Sequence, residues 1–235
     1  MAAHFIRELD QLKSMILALA AMVEDNLRLA MKSVVERDRA LAIQVIEGDH
    51  EIDRHEVAVE EECLKILALY QPVAHDLRFI VAILKINHDL ERIGDLAVNI
   101  GERAHTLSQK PPVQRDFDLR RLADKAQSMV ARSLDALINR DVALAREIWL
   151  SDDDADRLNR EILTEIEDEI QKHPEQLGSL MAYTSVSRTL ERIADHATNI
   201  AKDVLYMIEG DIVRHRSRQY RERLLEDARQ HVADP

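Results

Sequence analysis

Four pairs of acidic residues, each spaced by four positions, are the residues of this sequence best suited to chemistry: Asp49 with Asp53, Glu91 with Asp95, Asp152 with Asp156, and Glu191 with Asp195. On a helix this spacing puts both carboxylates on one face, their Cβ atoms roughly 5–6 Å apart. Two such pairs on facing helices would bring four carboxylates to one surface. Carboxylate oxygen is the donor preferred by hard cations such as Mg²⁺, Mn²⁺ or iron. Composition supplies the competing account, because 44 acidic residues in 235 give about eight pairs of this spacing by chance. Recurrence at matching places in two diverged copies is what sets these four apart, since like charges so placed cost ~0.2–0.5 kcal/mol per pair. On the residues alone, a cation site and a solvated acidic face both stand.

The neighbours of these pairs add little chemistry of their own. Asn99 and Asn199 lie one further step of four beyond Asp95 and Asp195, where they could extend a ligand row or cap the carboxylates. Arg92 and Arg192 are placed for local salt bridges. No histidine recurs between the copies: His88 corresponds to Arg188, His196 to Leu96, and His50 to Asp153. A di-iron carboxylate bundle needs Glu-x-x-His on each of two helices. Glu47/His50 and Glu102/His105 have that spacing, but their counterparts are Leu150, Asp153, Lys202 and Leu205. There is no Gly-rich phosphate loop and no nucleophile motif. Cys63 cannot form an intrachain disulfide and reads as a buried helical thiol.

The elements that must position the pairs follow from an internal repeat. Residues 90–100 read LERIGDLAVNI and residues 190–200 read LERIADHATNI, identical at eight of eleven positions. Arg37-Asp38 echoes Arg140-Asp141, Asp53-Arg54 echoes Asp156-Arg157, and Gln71-Pro72 echoes His173-Pro174. Proline cannot continue a preceding helix, so Pro72 and Pro174 mark hairpin corners, and Pro111-Pro112 marks the join between copies. Helices are expected near 4–37, 40–70, 75–106, 116–140, 142–172 and 176–209. Leu77, Ile80, Leu84, then Ile93, Ala97, Ile100, and Leu134, Leu137, Ile138 follow helical steps of three and four, which predicts a core-facing stripe. Long helices with short connections pack antiparallel. The expectation is all-α: two tandem three-helix bundles over 1–110 and 111–210, each able to bury its own core, and a charged tail over 211–235 that reads as a solvated, frayed helix.

Composition agrees and excludes several classes. Only five Gly and five Pro in the whole chain, with 3% aromatics, suit long helices and not a strand-rich fold. No stretch approaches the ~18 apolar residues of a membrane span, and the N-terminus lacks signal-peptide features. A net charge of −12 argues against nucleic-acid binding.

The stretch LYQPVAHDLRFIVAILKINHDLERIGDLAVNI at residues 69–100, with its degenerate second copy, resembles the PhoU family over residues 4–209. That resemblance implies two three-helix bundles in one cytoplasmic, homodimeric accessory protein of the high-affinity phosphate ABC transporter. It further implies binding to the transporter's ATPase subunit and to a phosphate-sensing histidine kinase, which is held repressing when phosphate is ample. Some members bind iron, zinc or other metal clusters through Glu/Asp-x-x-x-Asp motifs, which here fall on Asp49/Asp53, Glu91/Asp95, Asp152/Asp156 and Glu191/Asp195. The alternative is a metal-carboxylate enzyme or metal store. One departure stands out: the second copy has Gln176, Gly178 and Ser179 where the first has Asp76, Arg78 and Phe79, so only the first corner would meet a partner in the family's manner.

Overall fold

The computed structural model describes residues 2–210; the tail over 211–235 lies outside the described residues. Six helices follow in order: α1 (Ala2–Glu36), α2 (Arg39–Tyr70), α3 (Ala74–Ser108), α4 (Leu119–Asn139), α5 (Val142–Lys172) and α6 (Leu177–Glu209). A single 3₁₀ turn, Pro174–Gln176, precedes α6. The described residues contain no strand, as the sequence predicts.

The Arg-Asp echo in the sequence is a hairpin corner. Arg37 and Arg140 both take left-handed backbone, with φ of 54° and 51°, and so end α1 and α4 without a glycine. The amide of Asp38 then donates to the Ser33 carbonyl at 3.1 Å, and that of Asp141 to the Ala136 carbonyl at 2.9 Å, closing the preceding helix. The same aspartates open the next one. The Asp38 carboxylate accepts from the amides of Ala40 and Leu41, and Asp141 accepts from Leu144. Arg37 adds a contact that Arg140 lacks, because its guanidinium donates to the carbonyls of Leu107 and Lys110 at the end of α3. A cation there complements the negative pole of that helix.

The copies differ most at their starts. α4 begins at Leu119, not near 116, and is far shorter than α1. Asp118 caps it, and the chain before it is pinned by buried Phe117, whose ring lies 5.6 Å from that of Tyr183.

Two three-helix units are present, but they do not bury separate cores. α3 and α6 pack against each other as well as against their own repeat, and one continuous apolar cluster runs through all six helices. Each half is long enough to bury its own core, and the two share theirs. The physical reason is visible along α3, where Ile80, Ile83, Ile86, Leu90, Ile93 and Ile100 are all fully buried, a wider stripe than two neighbouring helices can cover. Lys85 meets Asp203 at 3.2 Å and Asp89 meets His196 at 2.8 Å, so α3 and α6 run antiparallel. Two residues of the predicted stripes also fall outside the core. Leu77 is 40% and Ile138 53% exposed, because each sits in a terminal turn at a corner of the molecule.

Candidate functional site: two carboxylate faces

Each repeat presents one acidic face where its second and third helices meet. In the first, α2 carries Asp49 and Asp53 while α3 carries Glu91 and Asp95. The approach is close because Gly94 has no side chain: a Cβ there would lie 3.5 Å from Asp49 Oδ1 and 3.2 Å from Ile52. In the second repeat, α5 carries Asp152 and Asp156 and α6 carries Glu191 and Asp195. Asp53 and Asp195 are exposed and the other six are half-buried.

Their electrostatics show that the pairs sense one another across the helix gap. Burial is the main cause that raises the Asp49 carboxyl above its usual range, followed by repulsion from Asp53 and from Asp95 on the opposite helix. Glu91 is raised by burial and then Asp95, against which Arg92 and His88 act. Burial also raises Asp152, with Asp195 and Asp156 adding to it and a hydrogen bond from Thr198 opposing it. Glu191 is raised by burial, then by Asp195, Asp156 and Asp152, and Asp195 is raised by burial and then Asp156. Burial first and like charge second disfavour the ionised form of these carboxylates, a condition a cation would relieve.

The two faces are not equivalent. Arg92 crosses the first, 3.2 Å from Asp95 and 3.6 Å from Glu91, as a local ion pair. Across the second, the hydroxyl of Thr198, and not the Asn199 amide, donates to Asp152 at 3.1 Å. The first face also gains a fifth carboxylate absent from the predicted set. Glu56 stands three positions beyond Asp53, raises Glu91, and accepts from the buried Asn87 amide at 3.0 Å. Its counterpart is Asn159, which accepts from Ser187 at 2.7 Å, so no second carboxylate recurs to mark the position in the sequence.

Cation chemistry fits these donors in type, all hard oxygens, and Glu91 Oε2 is buried without a hydrogen-bond partner. The arrangement is nonetheless open, since among the described residues no three His, Cys, Asp or Glu side chains gather closely enough to hold a metal ion. Nor are the two Glu-x-x-His pairs assembled. His105 Nε2 lies 2.9 Å from Gln109 Nε2, and Glu47 is exposed. Cys63 is buried, its thiol pushed up to about 12 by burial and then by Glu62 and Glu60, which suits a structural thiol and not a nucleophile.

The corner at Pro72 behaves as a surface feature. Leu69, Val73 and Leu77 are exposed there, and Arg78 turns away along the body to lie 3.7 Å from where a Cβ on Gly210 would stand. At the equivalent end Lys110 occupies the space above Gly178, with Nζ 2.5 Å from the position of a Cβ.

A repeated helical bundle that carries paired acidic faces defines a class of two-repeat, all-helical proteins. Within that class the chain belongs to the PhoU family: the PhoU domain matches residues 16–104 and again 119–204. A phosphate-specific transport system accessory protein PhoU homolog of Pseudomonas putida is 37% identical over 213 residues, covering 90% of this chain and 83% of that protein. One from Aquifex aeolicus is 37% identical over 209 residues, 89% of this chain and 95% of that one. The crystal structure of PhoU from Pseudomonas aeruginosa superposes with a TM-score of 0.85 at 36% identity, covering 88% of this chain and all of that one. The phosphate transport system regulatory protein PhoU from Streptococcus pneumoniae gives 0.83 at 29% identity, covering 89% and 99%.

Proposed function

We propose that this protein is a cytoplasmic, non-enzymatic regulator of phosphate uptake and phosphate-starvation signalling, acting by binding the ATPase subunit of a phosphate transporter, a phosphate-sensing histidine kinase, or both. The observation that carries the reading is likeness over both repeats to relatives named as accessory proteins of phosphate-specific transport. No helix among the described residues is long and apolar enough to cross a membrane, which agrees with a protein that reaches the bilayer only through its partners. A regulator of this kind works by preferring one state of its partner, so its effect scales with its concentration. Deleting the gene should leave phosphate-starvation genes on, or uptake unrestrained, in phosphate-rich medium, and the protein should co-purify with the transporter ATPase or the kinase. Normal uptake together with normal repression, in a host without a second related copy, would sink the reading.

The carboxylate faces are the place where iron, zinc, manganese or magnesium would be held. Because the side chains are not gathered, uptake requires those of facing helices to turn inward. Replacing Glu91 with Gln and Asp95 with Asn keeps size and removes two charges. Metal stoichiometry on the purified protein should then fall for the first face and persist at the second. Metal-free parent protein that takes up none of the four ions on titration would end the metal proposal.

A further inference from the structure

We infer that the seam between α3 and α6 is keyed by charge, so that α3 accepts α6 and rejects α3 of a second copy. The helices carry the same motif, run antiparallel, and bury isoleucine and leucine against each other. Apolar burial is non-directional and would not by itself tell α6 from another α3. The polar contacts across the seam do tell them apart, because none is repeated in its mirror position. Lys85 pairs with Asp203 at 3.2 Å, and its ammonium also lies 4.6 Å from the Tyr206 ring centroid. The equivalent residues are Ser185 and Arg103. Asp89 pairs with His196 at 2.8 Å, where the equivalents are Thr189 and Leu96. At the two ends, Arg78 lies over Gly210 while Lys110 lies over Gly178, so each long cation meets the other repeat's glycine.

Exchanging the partner shows what this arrangement forbids. Were α3 to pack on a second α3 in the same register, Lys85 would face Arg103 and Arg78 would face Lys110, two like-charged encounters at each half of the seam. Were α6 to pack on a second α6, Asp203 would face Ser185, and a carboxylate that is 1% exposed would exchange an ammonium contact for a neutral hydroxyl. Only the mixed pairing sets Lys85 against a carboxylate and each end cation against a glycine. Selection between near-identical helices by unlike charges, and not by apolar area, is how helical interfaces exclude wrong partners. The departure of Gly178 from the first copy's Arg78 is thereby accounted for: the glycine is the socket for Lys110.

The test uses the full-length chain. Lys85→Asp and Asp203→Lys should each lower the thermal midpoint, and the charge-exchanged double variant should recover at least half of the larger loss. A second variant, Lys85→Met with Asp203→Leu, fills the seam with apolar chains and should hold the parent's midpoint. On refolding from denaturant at about 100 µM, where exposed apolar surface drives misassembly, light scattering should show its associated fraction about twofold or more above the parent's. Failure of the charge-exchanged variant to recover would overturn the inference. So would a Met/Leu variant that refolds to the same distribution of species as the parent.

Discussion

Glu191 and Asp195 carry charges that the fold itself disfavours. Their carboxyls are raised by burial first and by their acidic neighbours next. A group whose pKa is higher in the folded than in the unfolded chain favours folding fully below its unfolded value. That contribution is lost as pH rises through the folded value. Near neutral pH, in chelator, the ionised pair is therefore a burden. Replacing Glu191 with Gln and Asp195 with Asn should raise stability by up to ~0.5 kcal/mol, limited by solvent screening. That gap should close as pH falls through the raised carboxylate range toward the ordinary one, when the parent takes up protons. Denaturation curves at pH 7 and at mildly acid pH read it, and a gap that widens on acidification contradicts the burial assignment. At this scale the sequence revealed the four pairs but not their surroundings. Spacing of four is a property of one helix, whereas Glu56 beside Glu91 and Thr198 on Asp152 are meetings between helices, set by packing.

Arginines at equivalent corners should respond in opposite directions to the same substitution. Both Arg37 and Arg140 hold left-handed backbone, which costs a side-chain-bearing residue roughly 1–2 kcal/mol relative to glycine. Arg140→Gly removes that strain and loses only a long 3.4 Å contact to His75, so stability should rise by about 0.5 kcal/mol after the added freedom of the unfolded chain. Arg37→Gly removes the same strain but also the guanidinium that donates to the carbonyls of Leu107 and Lys110. Hydrogen bonds to charged groups are worth about 1.5–3 kcal/mol each and two are lost, so the net should be a loss of about 2.5 kcal/mol or more. Chemical denaturation of the two variants checks the signs, and two gains would mean that Arg37 does not hold the end of α3. The corners themselves were legible, since Arg-Asp echoes and prolines are local signals of where helices stop. The 3₁₀ turn before α6 and the late start of α4 were not. The late start of α4 follows from a contact with another element, Phe117 against Tyr183.

Across the whole molecule, the connection at 109–118 joins the repeats without belonging to either. Pro111, Pro112, Gln114 and Asp116 are exposed, and Phe117 is the anchor at its far end. Limited proteolysis should cut first between Lys110 and Asp116, consistent with a boundary near 110, and the two fragments should remain associated through α3 and α6. Early cuts inside α3 would contradict this. The helical class and the twofold repeat could be read from composition and echoes alone. The single core could not, because a stripe wide enough to bury on three sides looks, within one helix, like a rich amphipathic face.

The burial of α3 and α6 in that shared core bears on how the two acidic faces communicate. Fluctuations that part α3 from α6 strip apolar cover from both repeats at once, so openings of that seam are shared between them. Anything that tightens one face, whether a cation or a docked protein, makes that shared opening less favourable for helices that it does not touch. Two sites with no side chain in common are thereby made thermodynamically aware of each other, with the antiparallel pair as the medium.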